Sequence, residues 1–309
     1  MELNENADLD TSQVEDARGA GRGGGGFGGI PIPIGGGIGT IITLVVVVIG
    51  LVVGGGTFGR SMLGGGDGND QGNNTQLEQK CAASNPDRFK DADCRNLLYV
   101  NSIQSYWQSA LPQIFGKAYS QAPTRFFSGG VNTGCGQADS GVGPFYCPAD
   151  DHVYIDLDFY QELASRFGAK GEFAQPYVLA HEYGHHIQDL LGTEAQMRRA
   201  QQRDPSNANQ YSVMLELQAD CYAGVWTNHA TETKSAKGQA LFKSITQQDV
   251  QEALTAAAAV GDDAIQKKMG GAVDEHKFTH GSSAQRQQWF SKGYETGDPR
   301  SCDTFGNGV

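Results

Sequence analysis

The chain has 309 residues, a formal net charge of −12 and a pI near 5.0. It contains neither a basic cluster nor an aromatic-rich basic stripe, which argues against nucleic acid as a partner. About the first 75 residues differ in composition from the remainder, so the length indicates one folded domain behind a distinct N-terminal region.

Three segments precede the predicted domain. Residues 1–29 are acidic, rich in glycine and nearly free of large apolar side chains, which predicts a disordered cytoplasmic tail. Residues 34–56 are uncharged and strongly apolar, so 30–56 is predicted to form one transmembrane helix. A cleaved signal peptide or a buried strand fits less well, because the segment starts late, lacks an A-x-A-like cleavage site and exceeds the usual strand length. A flexible linker at 57–76 and a domain at 77–309 complete the prediction.

The cysteines and arginines indicate the side of the membrane on which the domain lies. All six cysteines follow the predicted anchor, and an even number is typical of an oxidising compartment outside the cytoplasm. Positive charges favour the cytoplasmic side, and Arg18 and Arg22 precede the anchor, whereas Arg60 follows it. A single-pass protein with an extracytoplasmic domain is therefore expected. Of the 15 pairings that six cysteines allow, we prefer a set that closes two short loops and ties the C-terminus to a predicted helix: Cys81–Cys94, Cys135–Cys147 and Cys221–Cys302.

Two elements are predicted ahead of the most informative motif. Residues 96–115 place apolar side chains near helical spacing, which predicts a helix packed behind that motif. In residues 152–157, polar and apolar residues alternate, which predicts a strand ahead of a helix at 159–167. As an edge strand it would run along a cleft and pair with an extended peptide. An interior strand is an equally good interpretation.

The motif itself is His181-Glu182-Tyr183-Gly184-His185, an H-E-x-x-H sequence. A proline before it, apolar residues at helical spacing and a glycine after it predict that it lies on a helix. The two histidines then lie one turn apart on the same face and can bind one metal ion. The carboxylate of Glu182 can take the proton of a water that attacks a carbonyl and pass it to the leaving amine.

A catalytic zinc site normally has a third protein ligand. The extended metzincin motif requires glycine and histidine where this chain has Gln188 and Leu191, so a metzincin is disfavoured. In a second predicted helix, at about 211–228, Glu216 is the best third ligand. Asp220, one turn later, is expected to accept a hydrogen bond from a ligating histidine and fix its orientation. Cysteine ligands are disfavoured, because the chain has no C-x-x-C pair.

His280 lies in a polar loop after a predicted supporting helix at 245–260, and it has two interpretations. It would either reach the cleft and stabilise an oxyanion, or simply order the loop while Ser282 caps the next helix. His186 points about 100 degrees away from His185 on a helix and is not expected to bind the same metal.

H-E-x-x-H followed by E-x-x-A-D is the pattern of gluzincin-type peptidases. The chain resembles the bacterial putative neutral zinc metallopeptidase family over nearly its whole length, through this pattern and the following stretches: residues 14–19 (VEDARG), the Gly-rich apolar segment, residues 143–148 (GPFYCP) and residues 280–282 (HGS). The resemblance implies an α+β, mainly helical, zincin-like domain with a small sheet, anchored in the bacterial plasma (inner) membrane. It also implies Zn²⁺ bound by His181, His185 and Glu216.

The leading hypothesis is a zinc metallopeptidase that hydrolyses a peptide or protein substrate with Glu182 as general base. The alternative is a non-catalytic, membrane-tethered module that binds peptide or protein and uses zinc to stabilise its fold. A structural zinc site is normally closed by a fourth protein ligand, for which His280 is a weakly placed candidate. The presence of Glu182 favours the enzyme.

Overall fold

The computed structural model describes residues 1–18 and 74–306, and helices account for most of these residues. Helix boundaries follow local sequence signals. The side chain of Asp91 caps the helix Ala92–Phe115, and Gly116 ends that helix in the left-handed region at φ 66°. The described residues form nine α-helices: α1 Asn74–Cys81, α2 Ala92–Phe115, α3 Phe159–Arg166, α4 Ala174–Leu191, α5 Thr193–Arg203, α6 Ala208–His229, α7 Gln247–Ala259, α8 Asp262–Lys268 and α9 Ser283–Thr296.

Short strands form one four-stranded sheet and two separate pairs. The strands of the described residues are β1 Glu2–Leu3, β2 Val14–Asp16, β3 Thr124–Phe126, β4 Gly130–Thr133, β5 Gly136–Asp139, β6 Phe145–Cys147, β7 His152–Ile155 and β8 Phe242–Ser244. The large sheet has the order β2–β3–β7–β6, in which β6 alone is antiparallel to its neighbour. Strands β4 and β5 form a hairpin, and β1 pairs with β8. The prediction of a mainly helical α+β protein with small sheets is confirmed.

The strand predicted at residues 152–157 is present as β7, but it lies inside the sheet. Strand β3 pairs with one side of it, and β6 pairs with the other, with Phe145 opposite Tyr154. The interior interpretation is therefore confirmed, and the edge interpretation is wrong. The edge strands are β2 and β6. The three residues of β6 are all buried, so its sequence shows no alternation of polar and apolar residues.

Residues 1–18 are ordered, so the predicted disorder of residues 1–29 is wrong for this part of the chain. Strand β2 extends the sheet beside β3, and Val14 is fully buried. Next to it, the carboxylate of Glu15 lies 2.6 Å from a guanidinium nitrogen of Arg125 on β3. The prediction of disorder rests on composition. Composition does not show that an existing strand can form backbone hydrogen bonds with a neighbouring segment.

Asn74, the first residue of α1, holds β2 in place. Its side-chain amide donates to the carbonyl of Val14 at 2.7 Å, and its amide oxygen accepts from the backbone N–H of Asp16 at 3.0 Å. Arg18 then forms an ion pair at 2.8 Å with Asp93 on α2. The N-terminal residues are thus joined to the domain by contacts with both α1 and α2.

Glycine allows the central helices to approach closely. A Cβ atom on Gly184 of α4 would lie 2.9 Å from the Cα atom of Ala219 on α6. On α9, a Cβ atom on Gly293 would overlap the carbonyl oxygen of Cys221. Any side chain at these two positions would therefore force α4 or α9 away from α6.

The three predicted disulfides are confirmed. Cys81–Cys94 joins α1 to α2, and Cys221–Cys302 joins α6 to the C-terminal segment. The bond between Cys135 and Cys147 ties the tip of the β4–β5 hairpin to edge strand β6. It closes a small apolar cluster, separate from the main core, whose buried members are Phe127, Val142, Phe145, Cys147 and Tyr154.

Within residues 1–18 and 74–306, no helix is both long and apolar enough to cross a membrane. The anchor predicted at 30–56 lies outside the described residues, as does most of the linker predicted at 57–76. The folded domain includes all of α1, so it begins at least three residues before the predicted start at residue 77.

Candidate metal centre

Helix α4 carries the two predicted histidine ligands. It ends at Gly192, which has a φ of 77° and suits a left-handed helix cap. The rings of His181 and His185 lie on one face of the helix with their centroids 4.9 Å apart. This face packs against α6, so His181 is buried and His185 is half-buried.

Glu216 joins the cluster from helix α6. Its Oε2 atom lies 3.2 Å from Nε2 of His181, and its Oε1 atom lies 3.6 Å from Nε2 of His185. One ligand atom from each residue lies within 4.8 Å of the other two. Tetrahedral zinc with bonds of about 2.0–2.2 Å separates its ligand atoms by about 3.3–3.6 Å, so the spacing and the donor types both fit zinc. The structure thus brings the three predicted ligands together.

Asp220 has the place expected of a residue that orients a ligand. Its Oδ1 atom lies 2.9 Å from Nδ1 of His181, which leaves Nε2 of the ring for the metal. The same carboxylate accepts hydrogen bonds from the hydroxyl of Tyr177 and from Nε of Arg286, both at 2.7 Å. No local sequence signal identifies Tyr177 or Arg286, because Arg286 reaches the site only through the packing of α9 on α6.

Gln188 orients the second histidine. Its Oε1 atom lies 2.8 Å from Nδ1 of His185, and its Nε2 atom donates to the carbonyl of Leu215 at 2.6 Å and to Oε1 of Gln218 at 3.1 Å. Because the amide nitrogen of Gln188 is engaged as a donor, its oxygen accepts from Nδ1–H of His185. The sequence offered a weak signal for this role, since Gln188 lies three residues after His185 on the same helix.

Opposite charges shift the pKa values of the buried groups. Burial raises the pKa of Asp220, but Arg286 and His181 outweigh it and lower that pKa to about 2. Burial lowers the pKa of His181, but Asp220 and Glu216 outweigh it and raise that pKa to about 10. The pKa of Glu216 is lowered. Burial of its carboxyl group would raise this pKa, but nearby charges that include His185 outweigh the burial. His181 therefore releases a proton when a cation binds, because only neutral imidazole is a ligand.

Glu182 lies in the same cleft as the three ligands and is only 9% exposed. Burial raises the pKa of its carboxyl group above the ordinary value of 4.5, although the nearby His181 and His185 oppose the shift. A carboxyl group with a raised pKa can accept a proton and release it again near neutral pH.

His280 also lines this cleft. Asp262 on α8 lies 3.2 Å from its Nδ1 atom and accepts hydrogen bonds from three consecutive backbone N–H groups of the loop. Burial lowers the pKa of His280, but Glu216 and Asp262 outweigh it and raise that pKa. The side chain of Ser282 caps α9, as predicted. The loop is thus ordered by Asp262 and Ser282, and it brings His280 to the cleft.

The cleft has a volume of about 670 Å³, and strand β6 with the loops beside it forms one wall. His186 lies apart from the metal ligands, as expected. Its Nδ1 atom is 3.1 Å from the hydroxyl of Tyr146, and its Nε2 atom donates to the carbonyl of Ser120 at 2.8 Å. His186 therefore supports the wall that carries Tyr146.

The mainly helical α+β fold has two packed helices that present His, His and Glu to one point, and these three residues could hold a metal ion. A family model described as "Putative neutral zinc metallopeptidase" matches residues 4–305, and the chain belongs to this family. The resemblance seen in the sequence is thereby confirmed.

The relatives are bacterial. The chain is 48% identical over 231 residues to the uncharacterized proteins Rv2575 of Mycobacterium tuberculosis and Mb2605 of Mycobacterium bovis, which covers 74% of this chain and 75% of each relative. It is 39% identical over 274 residues to the uncharacterized protein YpfJ of Escherichia coli, which covers 88% of both chains. No solved structure matches the chain significantly.

Proposed function

We propose that the protein is a zinc-dependent metallopeptidase that hydrolyses bonds in peptide or protein substrates. The observation that carries this proposal is the convergence of His181, His185 and Glu216 on one point, with Glu182 in the same cleft. Among the residues that the structure describes, the cluster offers three ligands. Three protein ligands and an open fourth position are typical of catalytic zinc, whereas a structural zinc site is closed by four.

Zinc, when bound, polarises the substrate carbonyl and lowers the pKa of a water molecule to about 7. Glu182 acts as the general base that takes the proton of the attacking water and passes it to the leaving amine. The raised pKa of Glu182 suits this second transfer. His280, held by Asp262 at Nδ1, donates a hydrogen bond to the oxyanion of the tetrahedral intermediate.

The position of strand β6 supports the proposal that the substrate is a peptide. Strand β6 is one of the two edge strands of the sheet, and its residues Phe145 and Tyr146 line the cleft that contains the candidate metal ligands. An edge strand presents backbone groups that pair with an extended peptide of many sequences. The proposal therefore includes a zincin-like arrangement, in which the substrate lies along β6 and across α4.

We also propose that the metal centre works outside the cytoplasm of a bacterium, attached to the plasma membrane through the apolar residues 30–56. Three disulfides among the described residues support an oxidising compartment. Alkylation of intact cells before lysis is expected to label none of the six cysteines. Labelling of most of the protein would contradict this location.

Two Glu→Gln variants test the catalytic proposal in the full chain. Zinc per chain and cleavage of a mixed peptide library are measured for the parent protein, for Glu182→Gln and for Glu275→Gln, a matched control at an exposed position. Stoichiometric zinc is expected in all three, with a loss of about 10²- to 10⁴-fold in cleavage rate for Glu182→Gln alone. Equal activity of Glu182→Gln and the parent would refute the mechanism. Zinc without cleavage by the parent would favour the non-catalytic binding module.

A further inference from the structure

The two ends of the cleft differ in chemistry. Along α4, Val178 lies about 4.5 Å before His181 and Asp189 lies about 6 Å after His185, and all four line the cleft. The metal ligands therefore lie between an end that contains Val178 and an end that contains Asp189. Beyond Asp189, the lining includes the charged residues Glu194 and Arg198 of α5, whereas near Val178 several apolar side chains line the cleft.

Helices α3 and α8 enclose the end that contains Val178. The hydroxyl of Tyr160 on α3 lies 3.4 Å from the carbonyl of Gln175, so α3 packs beside the beginning of α4. The ammonium of Lys268, the last residue of α8, lies 4.8 Å from the ring centroid of Phe167, which places α8 beside the end of α3. Five apolar side chains on or next to α3, α4 and α8 line this end of the cleft, beside Asp262 of α8. We call them the apolar pocket: Phe159, Phe167, Val178, Val260 and Ile265.

Most of this apolar pocket is only partly covered by the protein. Four of its five residues are half-buried, and Val178 is 9% exposed. Apolar surface left open in a concave site gains free energy when an apolar ligand group covers it. The pocket therefore has a surface that a substrate side chain can complete.

The ammonium of Lys268 beside Phe167 is exposed to solvent and donates to the backbone carbonyl of Arg166, whereas the buried charged groups Asp262 and Arg286 have charged partners. Asp262, which lies between Val260 and Ile265 in the chain, binds His280, and the guanidinium of Arg286 is paired with Asp220. A charged substrate side chain would lose water there without gaining a free counter-charge among these buried groups. The pocket thus disfavours acidic and basic side chains.

We propose that the apolar pocket receives a large apolar side chain, such as Leu or Phe, from a residue next to the cleaved bond. The inference rests on the proposed peptidase function and adds its specificity. Val178 is one helical turn from both His181 and Glu182, which corresponds to the distance between a reacting carbonyl and a neighbouring side chain of an extended peptide. Burial of a Leu or Phe side chain in this pocket is expected to favour binding of the peptide by about 10- to 100-fold over the same peptide with Ala.

Peptide binding to the full-length, zinc-loaded Glu182→Gln variant tests the pocket without turnover. One peptide sequence carries Ala, Leu, Phe or Asp at each central position in turn, and fluorescence anisotropy gives Kd. At one position, Leu and Phe are expected to bind at least tenfold more tightly than Ala, and Asp is expected to bind no better than Ala. Equal affinities for Leu, Phe, Ala and Asp at every position would overturn the inference.

Substitutions made in the Glu182→Gln background identify the pocket. Ile265→Phe fills it and is expected to reduce the Leu and Phe advantage below threefold, while the affinity for the Ala peptide changes less than threefold. Val273 is an exposed β-branched residue outside the cleft, so Val273→Phe is the matched control. It is expected to leave the affinities for all the peptides unchanged. If Ile265→Phe does not fold, Ile265→Ala is expected to enlarge the pocket and favour Phe over Leu. A preference unchanged by either Ile265 variant would overturn the inference.

The same peptides, given to the zinc-loaded parent, separate the two proposals. Cleavage without an apolar preference would overturn the inference and leave the peptidase proposal standing. An apolar binding preference without cleavage by the parent would support the pocket and overturn the peptidase proposal.

Discussion

Replacement of Asp220 by Asn tests whether this buried carboxylate holds the metal centre in shape. The carboxylate is fully buried and accepts hydrogen bonds from His181, Tyr177 and two nitrogens of Arg286. Asn has the same shape, but it is neutral and has one acceptor oxygen in place of two. Asp220→Asn therefore leaves the guanidinium of Arg286 buried without its counter-charge.

The structure implies two separate effects of Asp220→Asn. Removal of one partner from a buried ion pair costs about 3–5 kcal/mol, so the free energy of unfolding is expected to fall by that amount. Loss of the hydrogen bond that orients His181 is expected to weaken zinc binding by about 10- to 100-fold. The first effect is measured by urea denaturation in EDTA, and the second by competition with a chromophoric chelator under conditions where the variant is folded.

A second destabilised variant separates orientation of the ligand from loss of stability. Leu97 on α2 is fully buried in the main core, and Leu97→Ala is expected to cost about 2–5 kcal/mol. Because Leu97 makes none of the hydrogen bonds that hold the metal ligands or Asp220, Leu97→Ala is expected to keep the parental zinc affinity. Parental zinc affinity in Asp220→Asn, or equal weakening in both variants, would refute the role assigned to Asp220.

Three further variants test the surroundings of the site. Gly184→Ala is expected to cost about 1–3 kcal/mol and to weaken zinc binding, because it pushes α4 away from α6; unchanged denaturation with and without zinc would contradict this. Glu15→Gln is expected to cost about 1–2 kcal/mol near pH 5.5 and less at pH 3 or pH 9, as measured by urea denaturation in EDTA. His152 lowers the pKa of Glu15 from 4.5, its value in the unfolded chain, to about 2 in the folded chain. The carboxylate therefore stabilises the fold fully above pH 4.5, and this stabilisation is lost as the pH falls toward 2. Glu15 raises the pKa of His152 above 6.5, so the imidazolium stabilises the fold below 6.5 and less as the pH rises past its folded pKa; a cost independent of pH would refute the pairing. Cys135→Ser is expected to lower kcat/KM severalfold while the helical core stays folded by circular dichroism, because it releases the β4–β5 hairpin from β6; full activity would argue against a role for that wall.

The convergence of the three candidate metal ligands could be predicted because it depends on local patterns. The spacing of His181 and His185 needs only a helix, and Glu216 is marked by a second helical pattern and by the E-x-x-A-D sequence. The disulfides could be predicted because two of the loops are short.

The remaining contacts join segments that are far apart in sequence, and no local pattern encodes them. Strand β2 pairs with β3, with Glu15 opposite Arg125, although the two residues are 110 positions apart. Arg286 reaches Asp220 across 66 positions. Edge strand β6 is too short and too buried to show a period of two. The positions of β2, β6 and Arg286 are set by packing, and packing is visible only in the folded chain.

The two hydrogen bonds of Asn74 with β2 have a consequence for how the chain meets a membrane. They hold residues 14–16 beside residue 74, so these two parts of the domain lie at the same place although 58 positions separate Asp16 from Asn74. A single crossing between residues 18 and 74 would put these hydrogen-bonded partners on opposite faces of a hydrocarbon layer about 30 Å thick. The predicted cytoplasmic tail and extracytoplasmic domain cannot both exist while β2 pairs with β3. While β2 pairs with β3, residues 1–18 therefore lie on the same side of any membrane as the candidate metal centre.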